Sequence, residues 1–323
     1  MEKASYLIVS LGIVSIFVLT IVGVSSKDEG EDPTSKQTAV LAKTCSVEVP
    51  ETVTFCGETI SLTRYDMYER FDREINAFSY LHSTTMMQIK RANRYFPIIE
   101  PILKENNIPD DFKYLAVIES MLDIRALSPA KAAGMWQFME RTGREYGLEI
   151  TEQIDERYHV EKSTNAACKY LLNAYKEFGN WIDVAASYNA GIGRIKTELS
   201  RQKVDSFFDL LLVEETSRYV FRLLAVKEVF SNPSYYGFVL QKKNLYQPIR
   251  TKTVEVSQDV TDFAEFAKAQ GVNYLQLKNF NVWLRDRALK TSGKTYRIQI
   301  PLEEDMYIKP SDMKVHNKKW IVD

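Results

Sequence analysis

Between Thr63 and Phe230 the apolar residues recur at helical spacing, and no run alternates with period two. A segment of this kind can bury its apolar stripes only by packing helix on helix, so the spacing predicts an all-helical domain. The predicted helices run from Thr63 to about Arg91, from Tyr95 through Leu103, from Phe112 to about Asp123, from Met135 toward Gly147, from Glu161 to Phe178, from Trp181 to Ala190, from Phe207 to Leu212 and from Thr216 to Phe230. Gly191 and Gly193 stand where positive φ would end a helix, and Asn232-Pro233 stops the last one.

One carboxylate breaks the pattern. In the helix from Phe112 onward, Leu115, Ala116 and Leu122 form an apolar stripe, Tyr114, Ile118 and Met121 widen it, and only Lys113, Val117 and Ser120 are left for an outer face. Glu119 falls on the stripe. An ionised carboxylate without a partner is costly to bury, so the group raises its pKa and keeps its proton near neutral pH, as a general acid must. The alternative is a structural glutamate bonded to a backbone amide or an arginine. After Asp123 the helical pattern stops, and Ser128-Pro129-Ala130-Lys131-Ala132-Ala133-Gly134 is small enough to bring backbone close to a ligand.

The rest of the chain divides by texture. The apolar run Tyr6 to Val24 suits either an N-terminal membrane anchor or a signal peptide cleaved near Val24 to Ser26, so residues 1–26 imply export to the periplasm or cell envelope in both cases. Residues 27–62 are expected as a linker, 63–236 as the helical domain, 245–302 as a small second domain and 303–323 as a C-terminal extension. With 42 Lys and Arg against 43 Asp and Glu, the charge balance gives no reason to expect nucleic acid as partner. His82, His159 and His316 are scattered, so neither a metal nor another cofactor is expected. Cys45 and Cys56 could pair in an oxidising compartment, whereas Cys168 lies in a helical apolar register.

Past Tyr235, Thr253-Val254-Glu255-Val256 alternates like a strand, Asp262 to Gln270 and Leu275 to Leu284 are helical, and Thr295 to Ile300 alternates again. The expected unit is β-α-α-β, with minor strands at Tyr307 and Trp320-Ile321-Val322. The whole chain is thus expected to be mainly α.

Three clusters on the helical domain stand out: Glu119-Ser120, Gly134-Met135-Trp136-Gln137 and Ser187-Tyr188-Asn189-Ala190-Gly191. With Glu215-Thr216 and Tyr219-Val220 as a fourth, they resemble, in order, spacing and helical context, the motifs of the family 1 lytic transglycosylases, whose catalytic domain is related to goose-type lysozyme. The resemblance covers roughly Arg91 to Phe230. It implies a lysozyme-like fold, peptidoglycan glycan strands as substrate, Glu119 as the catalytic residue, and Ser120, Gly134, Met135, Gln137, Tyr188, Asn189 and Tyr219 as substrate-binding residues. Ser187 stands where alanine is common in the family, a small change.

Residue chemistry agrees with those roles. Gln137 can donate and accept, which suits an acetamido group or sugar hydroxyl, unless it is a helix-surface amide. Tyr188 and Asn189 combine a flat apolar face with polar tips that match a sugar ring; the alternative is a buried tyrosine bonded to backbone. Ser120 could steady substrate or a carboxyl oxygen, and Gly134 could let the chain approach the glycan. Hydrolysis of a glycoside normally uses two carboxylates. Only Glu119 is a good candidate here, since Asp123, Glu140 and Asp183 read as caps or solvent-facing groups. A lone acid fits the family's reaction, in which the glutamate protonates the glycosidic oxygen and then deprotonates the sugar's own 6-hydroxyl, leaving a 1,6-anhydro-muramoyl end. A hydrolytic muramidase and a non-catalytic peptidoglycan-binding scaffold are the alternatives.

The β-α-α-β unit is similar to a LysM domain through Asp262-Phe263, Phe266-Ala267, Gly271-Val272, Leu275-Gln276-Leu277, Asn281 and Tyr296-Arg297-Ile298. That likeness implies binding of glycans containing N-acetylglucosamine. Val256-Ser257-Gln258-Asp259 lacks the usual Gly-Asp, and Arg285 to Lys294 is longer and more basic than usual, so a stabilising accessory domain is the alternative.

Overall fold

A computed structural model describes residues 45–309 and 312–322. The apolar run Tyr6 to Val24, and with it the anchor or signal reading, lies outside the described residues. Among the described residues, no helix is long and apolar enough to cross a membrane.

The stretch expected as a linker folds before it reaches Thr63. Strands β1 (Thr52–Phe55) and β2 (Glu58–Ser61) pair antiparallel with Val53 opposite Ile60. The two turn residues, Cys56 and Gly57, both take positive φ, the geometry that a two-residue hairpin requires. Alternation puts Val53, Phe55, Ile60 and Leu62 into the core, where Phe55 meets Phe112 edge-on. Cys45 and Cys56 are free thiols, and Cys56 uses its backbone N–H on the Asp111 carboxylate.

The single helix expected from Thr63 to Arg91 is two. α1 (Tyr65–Tyr80) ends at Leu81, and α2 (His82–Glu105) starts beyond it. The break falls where serine and threonine compete with the backbone: the Thr85 hydroxyl donates to the Phe78 carbonyl at 2.6 Å. α2 then runs straight through Pro97 and Pro101, where the sequence suggested a fresh start and a short helix. Both prolines are exposed and four residues apart, so their rings lie on one solvent-facing side of the helix.

A 3-10 turn (Asp110–Phe112) leads into α3 (Lys113–Ser120), the innermost helix. α4 (Glu140–Glu145) replaces the helix expected from Met135, because Gly134 and Gln137 both adopt positive φ and keep Met135 to Phe138 in a turn. α5 (Val160–Phe178) and α6 (Trp181–Ala190) match their apolar spacing. Gly191 does end α6 with φ near +86, but Gly193 lies inside α7 (Ile192–Gln202), a helix not anticipated from sequence. The expected helix from Phe207 is a 3-10 turn (Phe207–Asp209), and α8 (Glu214–Ser231) closes the bundle against α1, α3 and α6.

In the C-terminal unit, β3 (Thr251–Val256) pairs antiparallel with β4 (Tyr296–Pro301), Val254 opposite Ile298, with α9 (Phe263–Ala269) and α10 (Tyr274–Phe280) between them. Asp262 and Asn273 cap the two helices through their side chains. The described chain is therefore mainly α with a small β-α-α-β unit. Its small core of Phe263, Leu277, Trp283, Leu289, Ile298 and Ile300 is continuous with Ala133, Ile154 and Tyr158 of the helical body. No strand forms at Tyr307 or Trp320. Instead Lys318–Trp320 is a 3-10 turn that buries Trp320 against Phe96 and Phe230, with its indole N–H donating to the Phe230 carbonyl at 2.9 Å.

Candidate active site

α3 is more enclosed than its sequence suggests. Val117 and Ser120, expected on an outer face, are buried, and of the three residues left for that face only Lys113 reaches the surface, paired with Glu100 and Asp110. Glu119 is half-buried, and the Tyr219 hydroxyl donates to its Oε1 at 2.5 Å. Loss of hydration pushes the Glu119 carboxyl up to about 7; the Tyr219 hydrogen bond and the Arg222 charge pull it down, and Glu215 adds to the rise. Burial, followed by the charge of Glu119, holds the Tyr219 phenol well above its ordinary range, so it stays a donor.

The helix stops abruptly after Ser120. Met121 and Leu122 are both left-handed, each with φ near +55, a conformation that is uncommon for residues with side chains and clusters at functional sites. The chain is thereby turned sideways into the loop that carries Gly134 to Gln137. Ser120 fastens that loop: its buried hydroxyl lies 2.8 Å from the Met135 carbonyl and 3.0 Å from that of Ala116. The Ser120 hydroxyl is thus engaged by backbone. Met135 is likewise buried, at 1% exposure.

Gly134 is pressed against the backbone of residue 157. At φ near +76, a Cβ added there would lie 1.9 Å from the Arg157 carbonyl oxygen, so the close approach it permits is to the chain's own backbone. Trp136 is fully buried and donates to the Thr164 hydroxyl at 2.9 Å, so its role is core packing. Half-buried Gln137 donates its amide to the Gly134 and Ala126 carbonyls at 2.8 and 3.3 Å.

α6 brings in the third cluster. The Tyr188 hydroxyl donates to the Trp136 carbonyl at 2.9 Å, and its ring meets Tyr170, Phe138 and Trp136. It is near enough to Glu119 for that charge to help raise its phenol pKa, after burial. Asn189 Oδ1 accepts from the Thr216 hydroxyl at 2.9 Å. Direct bonds therefore join Glu119 to α8, Ser120 to the Met135 loop, that loop to Tyr188, and Asn189 back to α8.

One contributor was not singled out by sequence: Arg222, which with Glu215 of the fourth cluster sets the field around Glu119, while Thr216 of that cluster, given no role there, holds Asn189. A signal existed. Glu215, Tyr219 and Arg222 recur at i, i+4 and i+7 and so share one helix face. The other carboxylates considered bond elsewhere, Asp123 to Arg91 and the Arg125 amide, Glu140 to Arg144, and Asp183 to Asn180 and the Phe207 amide.

Comparison with known proteins gives two domain matches. Residues 96–209 match the transglycosylase SLT domain, and residues 252–304 match the soluble lytic transglycosylase C-terminal LysM-like domain. The chain is 36% identical over 228 residues to membrane-bound lytic murein transglycosylase D of Escherichia coli K12, covering 69% of this chain and 49% of that one. It is 29% identical over 134 residues to the soluble lytic murein transglycosylase of the same organism, covering 39% of this chain and 20% of that one. The chain thus spans about half the length of the first of these relatives, and less of the second. Among solved structures, the 70 kDa soluble lytic transglycosylase of Escherichia coli aligns at 20% identity with a TM-score of 0.40, over 54% of this chain and 31% of that one.

Proposed function

For a chain that carries a transglycosylase SLT domain and, behind it, a lytic-transglycosylase LysM-like domain, we propose peptidoglycan lytic transglycosylase activity, with cleavage of the β-1,4 bond between N-acetylmuramic acid and N-acetylglucosamine. The observation that carries this reading is the enclosed Glu119 carboxyl with the Tyr219 hydroxyl on one of its oxygens. A carboxyl pushed up to about 7 is substantially protonated at neutral pH.

With Oε1 accepting from Tyr219, the transferable proton is directed to Oε2. Glu119 gives it to the glycosidic oxygen as the bond to the anomeric carbon breaks. The resulting carboxylate then takes the proton from the 6-hydroxyl of the same muramoyl residue, whose oxygen closes on the anomeric carbon. Nucleophile and leaving group belong to one bound strand, which removes most of the entropic cost of a bimolecular attack. Atoms balance without water, and the acid is regenerated.

In this assignment Glu119 is catalytic, and Gln137, Tyr188, Asn189 and Tyr219 line the glycan cleft. Ser120, Gly134 and Met135 shape its wall from behind. Residues 63–236 form the catalytic domain and 245–302 a LysM-like unit that contacts glycan. The site of action is the cell envelope, with residues 1–26 as a cleaved signal or a membrane anchor. Digestion of purified peptidoglycan followed by mass spectrometry tests the reading. Soluble products ending in 1,6-anhydro-muramoyl groups are expected; reducing ends alone would assign hydrolysis instead.

A further inference from the structure

The C-terminal unit grips a segment that in turn grips the Gly134–Gln137 loop. The Asp155 N–H donates to the Trp283 carbonyl at 2.8 Å, the Arg285 N–H donates to the Gln153 carbonyl at 2.7 Å, and Ile154 bridges Leu284 in antiparallel fashion. The Lys290 N–H adds a bond to Gln153 Oε1 at 2.9 Å, and the Arg285 guanidinium lies 4.4 Å from the centre of the Tyr158 ring. Residues 153–155 are held as if they were an extra strand of the smaller unit.

Two positions on stands Arg157, paired with Asp155 through both carboxylate oxygens at 2.9 and 2.7 Å, each residue 7% exposed. Its remaining nitrogen donates to the Lys131 and Phe138 carbonyls at 2.9 and 3.2 Å. Those two carbonyls flank Gly134 to Gln137, and the Arg157 carbonyl is the atom against which Gly134 is pressed. A planar guanidinium with five fixed donors can serve a carboxylate and two carbonyls together, which lysine cannot do.

We infer that Arg157 and Asp155 are positioning residues for the cleft, and that the LysM-like unit, through its 283–290 segment, is a working part of the catalytic site in addition to any glycan binding of its own. The inference rests on the functional reading above for its activity arm. The chain of contacts is continuous: smaller unit to residues 153–155, Asp155 to Arg157, Arg157 to both ends of the loop, and the loop to Ser120 and Tyr188, which neighbour Glu119. Loosening the first link transmits to the last because Asp155, Arg157 and Ser120 are buried and each is bonded on both sides.

The test uses the full chain and two variants, Arg157→Lys at the relay and the double substitution Gln153→Ala/Arg285→Pro at the joint, which removes the Arg285 N–H donor, the guanidinium on Tyr158 and the acceptor of the Lys290 N–H, all remote from Glu119 in the chain of contacts. Hydrogen exchange is followed at the Ala133, Gly134 and Gln137 amides, which bond to Phe138, Ala126 and Gly134 carbonyls. Turnover is measured on a soluble glycan fragment too short to reach the smaller unit. Both variants are expected to exchange these amides at least tenfold faster while α5 and α8 amides keep their rates, and to lose at least tenfold in kcat with a smaller change in KM. If the joint variant keeps wild-type loop exchange and wild-type kcat on the short fragment, the unit is only a tether and the inference falls. Should the parent chain cleave no glycan, the functional reading fails, and loop exchange alone still decides the relay.

Discussion

Glu119 and Tyr219 lie one hundred positions apart and share a 2.5 Å hydrogen bond in which the phenol donates to the carboxyl oxygen. Two opposed effects meet there. Burial favours the neutral acid, while the phenol, the stronger for being held in a water-poor site, favours the anion. The balance leaves the carboxyl near 7, where it can give a proton and take one back.

Cleavage should need the protonated form, so kcat/KM is expected to be level in mildly acidic solution and to fall as pH rises through about 7. Tyr219→Phe removes a bond that lowers the Glu119 pKa, so the fall should move to higher pH. Turnover should also drop by roughly tenfold, because the proton is no longer directed to one oxygen. A pH profile of peptidoglycan solubilisation for both proteins checks this.

Glu119→Gln should reduce cleavage by about a thousandfold, within the range for removal of a general acid. Its effect on stability has a definite sign. The folded carboxyl binds its proton more tightly than the unfolded one, whose ordinary value is 4.5, so the native state loses stability as pH rises from about 4.5 to about 7. Glutamine carries no such penalty and can still accept from Tyr219. The variant should be more stable than the parent by about 3 kcal/mol at pH 8 and by little at pH 4, as urea unfolding at the two pH values would reveal.

Gly134→Ala places a methyl group 1.9 Å from the Arg157 carbonyl oxygen at a positive φ. Neither backbone can yield without breaking the Arg157 bonds, so a loss of about 3 kcal/mol or more is expected. Thermal unfolding measures it, and an unchanged Tm would contradict the packing described.

Trp320→Ala should cost about 3–5 kcal/mol, the usual range for emptying a buried aromatic site. The residue is 2% exposed and packs on Phe96 and Phe230, both in contact with Tyr114 of α3. Denaturant unfolding of the full chain gives the value, and a change within 0.5 kcal/mol would mean that the tail only rests on the surface.

Much of this protein is written in local spacing. The three- and four-residue recurrence of apolar side chains announced α3, α5, α6 and α8, alternation announced β3 and β4, and the carboxylate inside an apolar stripe pointed to Glu119 before any partner was known. Those features are legible because side-chain period and burial depend on neighbours a few positions away. The hairpin at Thr52–Ser61 has the same period-two signal and a Cys-Gly turn, but eight short-range positions beside a charged tether are easily taken for more of it.

What only the tertiary structure decided is partnership. Local pattern marks Ser120, Gly134 and Gln137 as special without saying that each is engaged by backbone, and it cannot tell that Pro97 and Pro101 face water inside one continuous helix. Nor does it contain the pairing of Tyr219 with Glu119, the grip of Arg157 on the loop, or the return of Trp320 to the helical core. Spacing along a chain records which face of an element must be covered. Which residue, a hundred or more positions away, does the covering is settled by the shapes that pack together once those faces meet.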